Sequence, residues 1–206
     1  MKTSLSILLI VAAICFRVDA QTNSTSSNAN QTVETLVCIR HGEKPPGGLG
    51  QLNCRGLNRS LALPDVLLKK YGTPQFIFAP NPTQKVDGNK YYYVRPLATI
   101  EPTAIRCKLP VNTEYGDEEI KGLEKELGQP KYENTMIFIA WEHGFLDQFA
   151  KNLVKHNGGD AAQVPGWPEE DYDTIFLIKI TRSGNEKAVT FMIDHEGLNN
   201  LSDQCP

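Results

Sequence analysis

Apolar residues fall into two kinds of run along this chain. Short, nearly continuous runs at 33–39, 76–79, 135–140, 174–180 and 188–193 have the length and the β-branched and aromatic content of buried strands. Longer segments at 53–71, 97–108 and 145–156 repeat apolar residues at helical spacing, and 117–127 predicts a charged surface helix. In the first of these the apolar set is Leu57, Leu61, Val66, Leu67 and Leu68, interrupted by Pro64 and ended by Gly72. Pro96 suits the first position of the helix over 97–108, where an N–H has no partner, whereas Pro102 should kink or delay that helix. Gly158-Gly159 stops the helix over 145–156, and His156 is placed to cap its carboxyl end. Polar loops are expected at 44–50, 80–89 and 161–173, and Ser183-Gly184-Asn185 as the turn of a closing hairpin.

Alternating strands and helices predict an α/β fold: a three-layer sandwich with a largely parallel central sheet flanked by helices and an antiparallel hairpin at its end. Open sheets of this kind gather ligands at the carboxyl ends of their strands. Two polar clusters fall at such ends. Arg40-His41-Gly42-Glu43 follows the first strand, and Glu142-His143-Gly144 follows the strand over 135–140.

The amino terminus changes the setting. Lys2, an uncharged apolar run over 5–16, and Val18-Asp19-Ala20 compose a secretory signal peptide over 1–20. That run is shorter than the ~20 residues a membrane span needs, so a secreted, extracellular chain with no membrane span is expected. Residues 21–32 are a Ser/Thr/Asn/Gln-rich flexible tail, and 33–206 a single domain. The formal charge of −3 argues against a nucleic-acid partner, which requires clustered basic surface. Any anion must be held by a local constellation. Cys15 leaves with the signal, and Cys38, Cys54, Cys107 and Cys205 allow three disulfide pairings, with Cys38 equally suited to being a small buried hydrophobe. Sequons at Asn23, Asn30, Asn58 and Asn200 suit a glycoprotein, although Asn58 falls in a predicted helix.

Arg40-His41-Gly42 carries the sharpest chemistry. Phosphoryl transfer needs an in-line nucleophile and cations around the equatorial oxygens. A histidine beside guanidinium groups meets both needs, since arginine matches phosphate with a planar fork and its charge keeps the ring neutral. No metal site is expected: Asp194-His195-Glu196 lacks a ligating spacing, and the wide cysteine spacing does not form a zinc set. Trp141 is expected in the core. No Gly-x-Ser-x-Gly elbow or Walker loop occurs.

In this context the chain resembles the histidine phosphatase superfamily, which includes phosphoglycerate mutases and acid phosphatases. Arg40-His41-Gly42 matches its opening motif, and Leu52 to Ser60 resembles the stretch that follows it. Arg95-Pro96-Leu97-Ala98-Thr99 resembles the segment bearing the second phosphate-binding arginine, and residues 137–144 resemble the late strand ending in His-Gly. Order and spacing agree over about 33–193. The resemblance implies a phosphoglycerate mutase-like fold and a small phosphorylated substrate, with no cofactor. It also implies His41 as nucleophile, His143 as the second catalytic histidine, and Arg40 and Arg95 as phosphate ligands. Lys44 stands where the acid-phosphatase branch has a further arginine, with Pro46 matching its proline.

The departures concern the proton donor. The acid-phosphatase branch has His-Asp where this chain has His143-Gly144, and the mutase branch has a glutamate four residues before a glycine, where counting back from Gly116 reaches Asn112. Glu142 and Glu114 are the candidate general acids, with Glu43 a third. Two readings follow. One is a secreted phosphomonoesterase working through a phosphohistidine on His41. The other is a non-catalytic phospholigand-binding protein that has kept the pocket and lost the acid. Secretion disfavours a mutase. Substrate and oligomeric state are left open.

Overall fold

β1 (Gln31–Arg40) lies in the interior of the sheet and is buried on both faces from Leu36 onward, which is why its sequence reads as an apolar run. The computed structural model describes residues 31–206 apart from Asp87, so the expected signal peptide and the sequons at Asn23 and Asn30 lie outside the described residues. After β1 come α1 (Cys54–Tyr71), β2 (Phe76–Phe78), β3 (Lys85–Val86), β4 (Tyr91–Tyr92), α2 (Arg95–Cys107) and β5 (Val111–Asn112). Then follow α3 (Ile120–Leu127), β6 (Met136–Trp141), α4 (His143–His156), β7 (Thr174–Ser183) and β8 (Glu186–His195).

The main sheet has the order β5-β2-β6-β1-β7-β8, with β3 and β4 forming a separate hairpin. Neighbours from β5 through β1 are parallel, β7 runs antiparallel to β1, and β8 antiparallel to β7. The strand period of two sorts side chains into two cores. Val37, Ile39, Phe138, Ala140, Ile175 and Leu177 face one way and pack with Leu63 and Leu67 of α1 and Ile100 and Ala104 of α2. Leu36, Cys38, Ile137, Ile139, Trp141 and Phe176 face the other way, with Leu123 of α3 and Phe149 of α4. The result is the expected three-layer sandwich, with Trp141 fully buried in it.

Several elements differ from the pattern-based expectation. β1 starts two residues early, because Gln31 and Thr32 pair with Ser183 and Arg182 of β7. β3 falls inside the loop expected at 80–89, and β4 and β5 fall in segments to which the pattern assigns no element; strands of two residues carry no periodicity to read. α2 runs on through Pro102 without delay, beginning at Arg95 itself. Leu57 and Leu61 are exposed, because α1 buries the stripe Gly56, Arg59, Ser60, Leu63 and Leu67 instead. His156 reaches Glu124 of α3 at 3.5 Å, and the side chain that caps α4 is Asn157, whose Nδ2 donates to Leu153 O.

One disulfide, Cys54–Cys205, joins the first residue of α1 to the carboxyl terminus, while Cys38 is a buried free thiol and Cys107 is unpaired. Arg55 pairs with Asp203 at 2.7 Å along the same seam. Asn58 Nδ2 donates to Ser202 O at 2.9 Å and Gln204 O at 2.8 Å, so its amide nitrogen is engaged, whereas Asn200 is exposed. No helix among the described residues is long and apolar enough to cross a membrane.

Candidate active site

Glycine positions fix where β1 delivers its last residues. A Cβ at Gly42 would meet the Gly56 backbone at 3.0 Å, and one at Gly56 would lie 2.4 Å from Glu43 O. The loop after β1 therefore lies directly on the first turn of α1, a contact that only paired glycines permit. Asn53 reinforces it: its N–H donates to Glu43 O, and its side chain caps α1 by accepting from Gly56 N. From the other side Thr99 of α2 accepts the Gly42 N–H at 2.8 Å.

His41, held in this way, is only 2% exposed. Its Nδ1 lies 2.8 Å from Gly42 O, which can only accept, so Nδ1 carries the proton. Arg95 Nε donates to the other ring nitrogen, Nε2, at 3.2 Å, so Nε2 presents its lone pair. Burial, the adjacent Arg95 charge and Arg40 hold the ring well below the ordinary histidine range, at about 3, against the pull of the Gly42 carbonyl and Glu142. The imidazole is neutral, with its nucleophilic nitrogen facing a guanidinium.

Arg40 is fully buried. Its Nη1 donates to the carbonyls of Glu169 and Asp171, the latter at 3.0 Å, and its guanidinium carbon lies 3.9 Å from the centre of the Tyr172 ring. Nε and Nη2 are buried and have no hydrogen-bond partner. Arg95 begins α2, with Pro96 completing its first turn, and its guanidinium lies over the Tyr93 ring at 4.6 Å. Tyr93 and Tyr172 both stand 6.2 Å from the His41 ring. Arg40, His41 and Arg95 are thus brought together as the sequence predicts, while the two tyrosines carry no motif that marks them.

Glu142 and His143 open α4. Glu142 Oε2 caps the helix by accepting from Phe145 N at 2.9 Å, and Oε1 lies 2.5 Å from His143 Nδ1. Burial raises the Glu142 carboxyl, but the His143 bond and the Phe145 N–H outweigh it and hold the group at about 2. Glu142 is therefore a carboxylate that orients His143, and does not fit the role of proton donor. Glu114 is exposed and lines a surface cavity with Glu118, Lys121 and Gln148, away from the His41 contacts. Lys44 lines a cleft of about 730 Å³ with Asn53, Glu169, Glu170 and Tyr172, the last of which packs on His41.

Glu43 is committed elsewhere. Arg59, 1% exposed, binds it with two nitrogens at 3.0 and 2.8 Å and also bonds the buried Glu196. Asp173 stands 3.9 Å away on the same guanidinium. Burial, with the charges of Asp173 and Glu43, raises the Glu196 carboxyl to about 8 despite Arg59. Asp194 and His195 do not join Glu196: Asp194 bonds Lys70 and Tyr71, and His195 is exposed.

No protein-family model and no curated protein matches the chain. Solved structures do. A phosphoglycerate mutase from Plasmodium falciparum superposes with a TM-score of 0.51 at 11% identity, over 77% of this chain and 89% of that one. A mycobacterial glucosyl-3-phosphoglycerate phosphatase, solved with inorganic phosphate, gives 0.52 at 15% identity over 78% and 95%. A SixA-type phosphohistidine phosphatase from Nakamurella multipartitia gives 0.51 at 12% over 79% and 96%. At these identities the likeness is one of architecture. The chain has the phosphoglycerate mutase-like fold, in a divergent form.

Proposed function

We propose that this chain is a secreted phosphatase that hydrolyses phosphomonoesters through a phosphohistidine intermediate on His41. The observation that carries the reading is the polarity of the His41 ring: Nδ1 is tied to Gly42 O while Nε2 keeps its lone pair toward Arg95. A phosphoryl group entering there displaces the Arg95 contact onto its own oxygens and meets the Nε and Nη2 fork of Arg40. His143, oriented by the Glu142 carboxylate at its Nδ1, is the second histidine of the site. Lys44 at the mouth of the cleft adds charge to the approach. These groups surround a metaphosphate-like transition state with positive charge and no cofactor is invoked. The cleft beside Tyr172 takes the alcohol portion of a small phosphorylated substrate. The Cys54–Cys205 disulfide and the exposed Asn200 sequon support an extracellular location, with 1–20 as signal peptide and the phosphatase domain beginning with β1 at Gln31, two residues before the expected boundary at 33.

The ionised state of Glu142, with Asn112 at the position of the mutase glutamate, favours a second reading, a phospholigand-binding protein without turnover. Hydrolysis of an aryl phosphate separates the two, because that leaving group needs little protonation. Turnover by the purified mature chain that is lost in His41→Ala, with the circular dichroism spectrum unchanged, supports the phosphatase. Binding of inorganic phosphate with no turnover from pH 4 to 8 supports the alternative.

A further inference from the structure

Tyr93 lies in the short loop that joins β4 to α2, and its backbone is anchored on both sides. Its N–H donates to Gln84 O at 2.8 Å, and the next two N–H groups, those of Val94 and Arg95, donate to Gly50 O at 3.1 and 2.9 Å. The side chain is wholly buried. Its ring meets the His41 ring edge-on at 6.2 Å, and the Arg95 guanidinium carbon stands 4.6 Å from its centre. The hydroxyl, at the far end of the ring from that anchored backbone, is buried and has no hydrogen-bond partner. Arg95, the charged group packed on the ring, can only donate, so no neighbour accepts the phenolic proton. Burial, against the charge of Arg95 and with help from Glu142 and Asp117, holds the phenol well above the ordinary tyrosine range, so the proton stays on.

A buried donor without an acceptor is costly to a fold, and its place beside the nucleophile indicates what relieves it. Arg40 is in the same position, with Nε and Nη2 buried and unpartnered. The unmet donors thus sit on two side chains that flank His41: Arg40 precedes it in β1, and Tyr93 packs on its ring. An oxyanion, which presents acceptors on every oxygen, is the ligand that meets all of them at once. We infer that the Tyr93 hydroxyl is a phosphoryl ligand, donating to a non-bridging oxygen of the group that Arg40 and Arg95 hold, an assignment that rests on the phosphate pocket of the reading above. As a platform for the Arg95 guanidinium the ring alone suffices, and phenylalanine would serve equally; it is the hydroxyl that calls for a ligand. Its proton is shared with the phosphoryl oxygen and not transferred. The oxygen that leaves is not the one it bonds, so its contribution does not depend on the alcohol.

The test is Tyr93→Phe, which removes the hydroxyl and keeps the ring under Arg95. One hydrogen bond to a charged acceptor corresponds to about 10–100-fold, so the Kd for inorganic phosphate, measured by calorimetry, should rise by about that factor. The same factor should be lost from kcat/KM on p-nitrophenyl phosphate and on an alkyl phosphate alike. Without phosphate the melting temperature should hold or rise, because the hydroxyl removed had no acceptor inside the protein. Phosphate affinity and kcat/KM within about threefold of the unmodified chain overturn the assignment, since a donor to the phosphoryl group is worth more than that. A melting temperature lower by several degrees also overturns it, because the hydroxyl would then be bonded within the fold. A loss confined to the alkyl phosphate overturns it by moving the hydroxyl to the leaving oxygen. If the unmodified chain binds phosphate and hydrolyses neither substrate, the phosphatase reading fails, and weaker phosphate binding by Tyr93→Phe still supports the ligand role. Absence of phosphate binding by the unmodified chain overturns both.

Discussion

Arg95 Nε points its hydrogen at Nε2 of His41 across 3.2 Å, so the strongest nearby cation touches the atom that would attack phosphorus. The contact holds the lone pair in place and keeps the ring unprotonated. It also puts the guanidinium where the equatorial oxygens of a bound phosphoryl group would come to rest.

Arginine's planar fork serves both purposes, and a lysine serves neither well. Arg95→Lys is predicted to lower kcat/KM on an aryl phosphate by about 10²–10³-fold, the usual cost of one transition-state donor. Its melting temperature should stay close to that of the unmodified chain. Steady-state kinetics and calorimetry on the pair check this, and a loss under tenfold contradicts it.

The depressed His41 value has a definite sign. A histidine in the unfolded chain charges near about 6.5, whereas His41 in the folded protein charges only near about 3. Between those values the unfolded state binds more protons, so stability falls as pH drops through this window. His41→Gln should flatten that slope in urea titrations taken between pH 6.5 and 4. Over the same window the nucleophile stays neutral, and kcat/KM should not show the loss that an ordinary histidine would impose.

Glu196 predicts the opposite trend at higher pH. Burial, with help from Asp173 and Glu43, raises its folded value to about 8, against an ordinary glutamate value of 4.5. The folded state then binds more protons, so its stabilising contribution is full below about 4.5 and is lost as pH rises through about 8. Glu196→Gln should narrow the stability difference between pH 5 and pH 8, as read by thermal melting. An unchanged difference would mean that Glu196 is already ionised beside Arg59.

The Cys54–Cys205 bridge closes nearly the whole domain into one loop, with a sequence separation of 151. Replacing both cysteines by serine should cost about 2–4 kcal/mol in urea unfolding. It should also expose residues 199–206 to protease. Turnover should survive, because Asn53, Gly56 and Thr99 position the His41 loop independently of that tail. Loss of activity in the folded double variant contradicts this division.

The inner strands of the central sheet were legible because they are buried on both faces and show as apolar runs, as in 135–140 and 174–180. Arg40, His41 and Glu142 were legible because strand-end polar clusters stand out against those runs. The stripe on α1 was misread: Leu57 and Leu61 are apolar but exposed, and the buried stripe runs through Arg59, whose charge is met by Glu43 and Glu196. The sequence does not show that pairing, since Glu196 is 137 residues away. Tyr93 and Tyr172 were missed for a related reason. Each reaches the pocket from a loop whose placement depends on long-range contacts such as Val94 N–H with Gly50 O and Arg40 with the carbonyls of Glu169 and Asp171.

The most direct test is to trap the intermediate. The mature chain is mixed briefly with a ³²P-labelled aryl phosphate, denatured in alkali, and digested for peptide mapping. Phosphorus on an imidazole nitrogen survives alkali and is released by acid. The account predicts acid-labile label on the peptide containing Arg40-His41-Gly42, and none in His41→Ala. Label on a different residue, or turnover that persists in folded His41→Ala, would contradict it.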